Sequence, residues 1–326
     1  MTNPDQQNAH AVARPAVVIC IATYRRPSGL CALIESLSNI TTDAMPADVS
    51  IIVVENCPDD PAEADLGNIP ELSCWPLRYV FEHTRGIVAA RNRALDEIDE
   101  KADFIAFLDD DETVSRTWLA AMLHAMRRTK ASAVQGPVLP HFEIDPPDWA
   151  VASGLFATGP FIADERLVSA STNNVMISAD FVRKHKMRFD ARFNTTGGED
   201  EEFFYRLRQN GGTIHAAADA AVHDLIPRKR MTWHWAMRRK FRMGNTLGRI
   251  ALLHRQNRVI RFLKGSGAIL KGALTIATLG FGSRSRIAAG AFEMTRGAGM
   301  IAAYTGLTFK EYGISAVSHE RNGAVI

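Results

Sequence analysis

Residues 104–112 read FIAFLDDDE, so an apolar run passes without a break into four acidic residues. Two further apolar runs, VVICIA at 17–22 and IIVV at 51–54, are rich in β-branched residues and bounded by turn-forming residues. Apolar residues at helical spacing occupy 87–98 and 118–126. Strands that are apolar throughout and alternate with helices are typical of a mostly parallel sheet covered on both faces. The sequence therefore predicts an α/β domain whose ligands bind beyond the carboxyl ends of its strands.

The charge distribution divides the chain into two parts. The formal net charge of the 326 residues is only +2, and the 46% hydrophobic content excludes a disordered chain. Residues 1–227 carry 20 Lys and Arg against 33 Asp and Glu, whereas 228–326 carry 18 Lys and Arg against three Glu. The basic part indicates an anionic partner: a membrane surface, a nucleic acid or an acidic substrate.

The remaining composition sets limits on the class of protein. Four cysteines without a C-x-x-C pair exclude a disulfide scaffold and give no signal for a zinc site. No uncharged apolar run reaches the roughly 18 residues expected of a membrane-spanning helix. Residues 140–165 are rich in Pro, Gly and aromatic residues, which favours an irregular loop over the site.

The acidic cluster that follows the third apolar run favours a metal site. Carboxylates crowded at the end of a buried strand repel one another, and a divalent cation such as Mg²⁺ or Mn²⁺ removes that cost. Asp109 and Asp111, two residues apart, are spaced as a D-x-D that binds one cation. The alternative is that the cluster caps a helix beginning near Ser115.

A second acidic cluster, GGEDEE at 197–202, precedes the helical pattern FFYRLRQ. Its glycines permit unusual backbone angles and close approach of a substrate. Asp200 falls where a loop enters a helix, and a carboxylate there can act as a general base toward a hydroxyl. Helix capping is the alternative for this cluster as well.

Taken in order along the chain, these motifs resemble glycosyltransferase family 2, which has the GT-A fold, and in particular its bacterial exopolysaccharide type represented by succinoglycan-biosynthesis transferases. The matching stretches are VVICIATYRRPSGLCALIESL (17–37), IIVVEN (51–56), RGIVAARNRAL (85–95), FLDDDE (107–112), GGEDEEFFYRLRQNGG (197–212) and PRKRMTWHWAMRRKFRMGN (227–245). The resemblance implies a flexible segment 1–14, a GT-A (Rossmann-like) catalytic domain 15–227 and a basic amphipathic helical region 228–326.

The resemblance implies an inverting enzyme that moves a hexose from a nucleotide sugar, with UDP as the commonest nucleotide, to a sugar acceptor. The acceptor of the resembled enzymes is typically a polyprenyl-diphosphate-linked oligosaccharide used in exopolysaccharide or other surface-glycan synthesis. A divalent cation, Mg²⁺ or Mn²⁺, is the implied cofactor. The nucleotide-binding residues that the motifs imply are Thr23, Tyr24, Arg25, Glu55, Arg91, Asp109 and Asp110. Glu55 stands where many members carry Asp, which leaves the base specificity open.

The same comparison implies the catalytic and metal residues. Asp200 matches the catalytic base, and Glu199 beside it matches a donor or acceptor contact. Asp109 and Asp111 match the metal-binding D-x-D. A further metal ligand, commonly His, follows the next strand in many members. We expect this ligand to be His223 in preference to Asp224. The alternative is that His223 is a solvated or hydrogen-bonded loop residue that binds no metal.

Contacts to sugar are expected from Asn173, Asn174, Gly198 and Trp149, and stacking on sugar from Trp149 or Trp233. A polar strand end is the alternative for the two asparagines. A buried core position is the alternative for both tryptophans.

The basic region 228–326 suits binding to an anionic membrane surface, because cationic residues and apolar faces act together at lipid headgroups. We therefore expect a cytoplasmic protein that associates peripherally with the inner face of the cell membrane. The alternative is a solvated helical face packed on the acidic domain. A non-catalytic nucleotide-sugar-binding module is the second functional reading. A nucleic-acid partner is not expected, since no groove-reading motif is present. The donor sugar, the acceptor, the linkage and the oligomeric state stay open.

Overall fold

The structure, a computed structural model, describes residues 14–56, 69–279 and 283–309. The predicted flexible segment 1–14 lies, apart from Arg14, outside the described residues. The strands, in chain order, are β1 (Ala16–Thr23), β2 (Asp48–Glu55), β3 (Leu77–Phe81), β4 (Phe104–Asp109), β5 (Glu112–Val114), β6 (Ala133–Gln135), β7 (Val138–Phe142), β8 (Arg166–Leu167), β9 (Asn174–Ser178), β10 (Ile214–Ala216) and β11 (Val222–Ile226). The helices are α1 (Pro27–Ser38), α2 (Ile69–Leu72), α3 (Ile87–Asp96), α4 (Trp118–Thr129), α5 (Asp148–Ala152), α6 (Ala179–Lys184), α7 (Glu199–Gln209), α8 (Trp233–Leu253), α9 (Arg258–Leu279) and α10 (Arg284–Ala302).

The predicted α/β architecture is confirmed. Eight strands form one sheet in the order β3-β2-β1-β4-β9-β6-β10-β8, and β3, β2, β1 and β4 run parallel. In β1, Val17, Ile19 and Ile21 enter the core on one face of the sheet, and Val18 and Cys20 enter the core on the other. Burial on both faces explains why this strand is apolar at successive positions. The three apolar runs of the sequence lie within β1, β2 and β4.

A small second sheet, in the order β5-β11-β7, lies just beyond the end of β4. Only Asp110 and Asp111 separate β4 from β5, so the acidic cluster forms the turn between the two sheets. Helix α4 begins at Trp118 after Thr117 at its N-cap, and the acidic cluster therefore does not cap it. The expected irregular loop over 140–165 is correct only in part, because β7 reaches Phe142 and α5 forms within the segment.

The basic C-terminal segment forms three helices with close backbone contacts. A Cβ at Gly272 in α9 would lie 2.4 Å from the carbonyl oxygen of Gly290 in α10. On the other side of α10, a Cβ at Gly299 would lie 2.1 Å from the carbonyl oxygen of Phe241 in α8. Glycines at these crossings let the helix backbones touch, so α10 packs between α8 and α9. Among the described residues, no helix combines the length and apolarity needed to cross a bilayer.

Candidate active site

The ends of β1 and β4 are joined through Asp110, which is almost fully buried. Thr23 Oγ1 donates a hydrogen bond to Asp110 Oδ2 at 2.7 Å, and Arg26 Nη1 contacts Asp110 Oδ1 at 3.1 Å. Burial raises the pKa of Asp110 to about 6, against the lowering effect of Arg26. Asp110 therefore fixes the turn of the D-x-D, while Asp109 and Asp111 on either side of it are more accessible.

The nucleotide-binding residues expected from the first two strands lie together at the carboxyl ends of β1 and β2. Glu55 ends β2 and is buried; its Oε1 accepts a hydrogen bond from the Arg25 backbone N–H at 3.3 Å. Tyr79 donates its hydroxyl hydrogen to the other carboxylate oxygen at 3.1 Å. Arg25 has a left-handed φ of 52°, and its guanidinium lies over the Tyr24 ring. This uncommon backbone conformation for a non-glycine residue holds the turn after β1 in a defined shape.

Arg91 connects the two acidic clusters from the first half of α3. Its Nη2 donates to Asp109 Oδ1 at 3.2 Å, and its Nη1 pairs with Glu199 Oε1. Asn194 fixes the start of α3, because its Oδ1 accepts the backbone N–H groups of Val88 and Ala89. The buried guanidinium is thus compensated by two carboxylates, as a buried charge requires.

The second acidic cluster begins α7. Gly197 and Gly198 have φ values of 69° and 89°, which are left-handed conformations that suit glycine. A Cβ at Gly198 would lie 2.2 Å from Thr246 in α8, so this loop is pressed directly against α8. Gly198 is the N-cap residue of α7 and has no side chain with which to cap the helix. The acidic residues that follow it therefore do not occupy the capping position.

Asp200 belongs to the second cluster and interacts electrostatically with Asp109 of the first. Its negative charge raises the pKa of Asp109, of Glu199 and of Glu201, which places the carboxylate within electrostatic reach of all three. Burial is the largest cause in each case, and it brings the pKa of Glu199 and Glu201 to about 7. Asp200 itself is only partly buried, and its Oδ1 accepts the Glu201 backbone N–H at 2.8 Å. A partly exposed carboxylate in this position can accept a proton from a bound hydroxyl.

The small sheet brings Asp224, and not His223, to the D-x-D. Neighbouring residues of a strand point to opposite faces, and on β11 His223 is exposed while Asp224 is partly buried and lies opposite Glu112 of β5. Burial raises the pKa of Asp224 to about 7, and the charge of Asp111 adds to this effect. The strand's alternation thus favours Asp224 over His223 as the side chain nearer Asp111, and the third metal ligand stays a prediction.

The carboxylates fit a divalent cation by their chemistry. Among the residues that the structure describes, no three His, Cys, Asp or Glu side chains converge as a metal-ligand group. Instead, Asp111 Oδ2 contacts Arg26 and Arg230, at 3.0 and 3.3 Å, and Asp109 contacts Arg91. Asp224 Oδ1 is buried and accepts no hydrogen bond. An all-oxygen donor set with an unused buried oxygen suits Mg²⁺ or Mn²⁺.

Two of the residues expected at the sugar site are used elsewhere. Asn174 is completely buried; its Nδ2 donates to the carbonyls of Pro137 and Ala220, and its Oδ1 accepts from the Trp118 indole. Trp149 is 7% exposed and stacks on the ring of Trp233 at 5.1 Å. Both side chains hold the fold together, so neither reaches a sugar in this arrangement.

The other two expected sugar contacts have different placements. Asn173 is partly exposed, and its Oδ1 accepts the Ser171 hydroxyl hydrogen at 2.6 Å. Gly198 lies directly before the two acidic residues of α7, at the loop pressed on α8. Trp233, at the start of α8, is 41% exposed.

Three residues of the site were missed by sequence reasoning. Glu112 is fully buried and accepts the Asp109 backbone N–H at 3.0 Å, so it supports the D-x-D turn from within. Burial raises its pKa well above the ordinary value, and the charge of Asp109 adds to this. Arg26 and Arg230 both contact Asp111. The basic residues 228–230 are apparent in the sequence, but their pattern does not predict a contact with the D-x-D.

Comparison with known proteins gives a consistent result. Residues 18–186 match the family model described as "Glycosyl transferase family 2". The chain is 33% identical over 306 residues to "Succinoglycan biosynthesis protein ExoM" of Rhizobium meliloti (strain 1021), covering 92% of this chain and 96% of that protein. It is 26% identical over 227 residues to the "Hyaluronan synthase" of Pasteurella multocida, of which the match covers 23%, and 59% of this chain.

A solved structure shares the fold. The chain superposes on S. aureus TarS 1–349 in complex with UDP with a TM-score of 0.50 and 13% sequence identity. The superposition covers 90% of this chain and 92% of the TarS chain.

Proposed function

Because the chain belongs to glycosyltransferase family 2, we propose that it transfers a hexose from a nucleotide sugar to a sugar acceptor with inversion at the anomeric carbon. The observation that carries the proposal is the contact of Arg91 with both Asp109 and Glu199, because it holds the D-x-D beside the turn that contains Asp200. The name of the succinoglycan-biosynthesis relative supports exopolysaccharide synthesis as the process. The UDP bound in the TarS structure supports a UDP-sugar as donor.

The donor half of the proposed site lies at the ends of β1, β2 and β4. The wall for the nucleoside consists of Thr23, Tyr24, Arg25 and Glu55. The surrounding turns are held by Arg91 and Asp110. Asp109 and Asp111, with Asp224 facing them, are the residues that would hold a divalent cation. Such a cation supplies positive charge to the leaving diphosphate.

The acceptor half lies at the start of α7. Asp200 takes the proton of an acceptor hydroxyl while that oxygen forms its bond to the anomeric carbon. The bond from this carbon to the diphosphate breaks on the opposite face, and the nucleoside diphosphate leaves with the bonding electrons. A single displacement of this kind inverts the anomeric configuration. Glu199, fixed by Arg91, holds the first turn of α7 in position.

Nucleotide binding provides the first test. Thermal unfolding of the full chain is measured with UDP, GDP and dTDP, each with Mn²⁺ and with EDTA. We expect UDP to raise the Tm in the presence of Mn²⁺ and EDTA to abolish that increase. A panel of UDP-hexoses is then incubated with the protein, and free UDP and sugar are measured by mass spectrometry. Binding without hydrolysis or transfer would favour the non-catalytic module, and absence of any nucleotide effect would contradict the proposal.

The proposed acceptor is a polyprenyl-diphosphate-linked saccharide at an anionic membrane surface, reached through the region 228–326. Support comes from the outer face of α9, where apolar side chains recur on one side of the helix and are half-exposed or more. They are Val259, Ile260, Phe262, Leu263, Leu270 and Leu274. Lys264 and Lys271 flank this face and are exposed. Near an anionic surface, each such cation contributes about 1 kcal/mol.

Flotation with vesicles tests the membrane part. The chain is mixed with vesicles of phosphatidylcholine alone or with phosphatidylglycerol, at low and high salt. We expect flotation with the anionic vesicles that weakens at high salt. The variant Leu263→Asp/Leu270→Asp should lose it, whereas Val168→Asp, an exposed position outside the helical region, should keep it. Equal flotation of both variants would contradict the assignment of α9, and a shift to dimers in gel filtration would assign the face to a second copy.

A further inference from the structure

Helices α9 and α10, together with Leu247 of α8, line a cavity of about 310 Å³, which we call the α9–α10 cavity. The residues that α9 contributes to it recur at the spacing i, i+3, i+6, i+7 and i+10, so they share one side of the helix. They are Arg261, Lys264, Gly267, Ala268 and Lys271.

The α9–α10 cavity borders the exposed apolar face of α9. Leu263 directly precedes Lys264, and Leu270 directly precedes Lys271. Successive residues of a helix are separated by about 100° around its axis. Each exposed leucine therefore lies beside a cation of the cavity, and the face that we assign to the membrane continues into the cavity's rim.

Positive charge exceeds negative charge around the cavity when the partners of each group are counted. Four cations line it, Arg261, Lys264, Lys271 and Arg296, against Glu293 as the single acidic residue among the described lining residues. Arg296 Nη2 donates to Glu293 Oε2 at 2.7 Å, so that carboxylate has its own cation. Arg261 Nε donates to the side-chain oxygen of Gln256 at 2.7 Å, a neutral partner that leaves the charge of Arg261 in place.

The pKa of Glu293 reports the same excess. Burial acts to raise this pKa, but the hydrogen bond from Arg296 and the charges of Arg296, Lys271 and Lys240 lower it below its ordinary value. The cations of α8, α9 and α10 therefore determine the potential in the cavity, and this potential favours an anion.

A buried hydroxyl lies on the same side of α10. Tyr304 follows Glu293, Arg296 and Met300 at the spacing i, i+3, i+7 and i+11. Burial raises the pKa of Tyr304, and the charges of Arg261 and Arg258 oppose this effect. Its hydroxyl is buried and forms no hydrogen bond within the part of the chain that the structure describes. Buried polar groups are normally hydrogen-bonded, and an anion held near Arg261 would provide the acceptor.

We propose that the α9–α10 cavity binds the phosphate of an anionic membrane lipid whose acyl chains lie along the apolar face of α9. The inference rests on the membrane association in the proposed function and adds a specific headgroup site to it. An apolar face with scattered cations responds only to the bilayer and its surface charge. A cavity with guanidinium and ammonium donors from two helices can instead hold the oxygens of one phosphate group.

Calorimetry with lipid monomers tests the inference on the full chain. The probes are dihexanoyl phosphatidylglycerol and dihexanoyl phosphatidylcholine, both below their micelle concentrations, and glycerol 3-phosphate. We expect saturable binding of one phosphatidylglycerol per chain. Glycerol 3-phosphate should bind at least about tenfold more weakly because it has no acyl chains to bury. Phosphatidylcholine carries its own ammonium group beside the phosphate and should not bind measurably.

Two variants change the cavity in different ways. Lys264→Gln/Lys271→Gln removes two cations of the cavity and should weaken phosphatidylglycerol at least about tenfold, as the loss of charge-assisted hydrogen bonds requires. The matched control Arg284→Gln/Arg286→Gln removes two exposed cations of α10 that do not line the cavity, and it should leave the affinity unchanged. Gly267→Leu keeps the charge and favours the helix. A Cβ at Gly267 meets no atom within 4 Å, so the leucine can occupy the open space and should also weaken binding about tenfold.

Each contrary result has a distinct meaning. Equal losses in the lysine variant and in its control would show attraction to net charge and overturn the site. Glycerol 3-phosphate that binds as tightly as the lipid would assign the cavity to a free phosphate and overturn the lipid as its ligand. If the lysine variant does not fold, unchanged affinity in Gly267→Leu overturns the inference and a loss supports it.

Failure of the inference can be separated from failure of the proposed function. Wild-type protein that floats with anionic vesicles but binds no lipid monomer would overturn the headgroup site and leave the membrane association intact. UDP with Mn²⁺ is titrated into the same proteins, and its affinity should be equal in all of them. Absence of UDP binding by the wild type would contradict the proposed donor site, whatever the result with lipid.

Discussion

Arg91 and Glu199, 108 residues apart in the chain, form an ion pair that is almost completely buried. The same guanidinium contacts Asp109, so one side chain of α3 holds the end of β4 and the start of α7 together. The relative position of the proposed base and the D-x-D therefore depends on this pair.

Removal of one partner should be more damaging than removal of both. Arg91→Met leaves Glu199 buried without its cation, and we expect the free energy of unfolding to fall by about 3–5 kcal/mol. The double variant Arg91→Met/Glu199→Gln removes the uncompensated charge and should recover part of this loss. Urea unfolding of the wild type, both single variants and the double variant measures the coupling. Additive losses would contradict the pairing.

Substitution of the proposed base should separate turnover from binding. Asp200→Asn keeps the shape of the side chain but cannot accept the proton, so we expect transfer to fall by about 10²–10⁴-fold. UDP affinity should change little. Asp180→Asn, on the surface of α6, is the matched control. Near-normal transfer by Asp200→Asn in the donor assay would show that another group acts as the base.

Glu201 should make the stability of the protein depend on pH. Burial raises its pKa in the folded state to about 7, above the unfolded value of about 4.3. Unfolding therefore releases its proton between these values, and the contribution of Glu201 to stability falls as pH rises through this window. We expect Glu201→Gln to stabilise the protein by about 1–3 kcal/mol at pH 8 and hardly at all at pH 4.

Urea unfolding at the two pH values measures this difference. The exposed Glu35→Gln on α1 serves as the control and should change stability equally at both. If Glu201→Gln stabilised the protein equally at both pH values, the stabilisation would come from packing and not from the ionisation of Glu201.

The contact between Gly198 and Thr246 should be sensitive to a single methyl group. Gly198→Ala combines a left-handed φ with a close approach, and we expect a loss of about 1–3 kcal/mol together with reduced transfer. Gly211→Ala has a similar φ of 83° but open space around it, and it should show only the smaller backbone cost. Thr246→Ser in the Gly198→Ala background should restore part of the activity. Equal effects of the two alanine substitutions on unfolding and transfer would contradict this explanation.

The sequence predicted β1, β2 and β4 and singled out the two acidic clusters because both depend on local patterns. Strands buried on two faces must be apolar throughout, and parallel strands bring their carboxyl ends to one edge. The choice between His223 and Asp224 depends on the register of β11 against β5, which no local pattern contains. The same is true of Asn174, whose side-chain amide forms hydrogen bonds with groups as far apart in the chain as Trp118 and Ala220. Long-range partners of polar residues were therefore the part that sequence reasoning could not supply.

The backbone contacts on both sides of α10 have a mechanical consequence. Helices that touch at Gly272–Gly290 and at Phe241–Gly299 have little freedom to slide, so α8, α9 and α10 form one rigid unit. With α9 at a lipid surface, as proposed, this unit sets the distance between Asp200 and the lipid headgroups. Such an enzyme would select its acceptor by the length of the saccharide. A saccharide too short to span that distance does not reach the base, and the length of a longer one decides which of its sugars lies at Asp200.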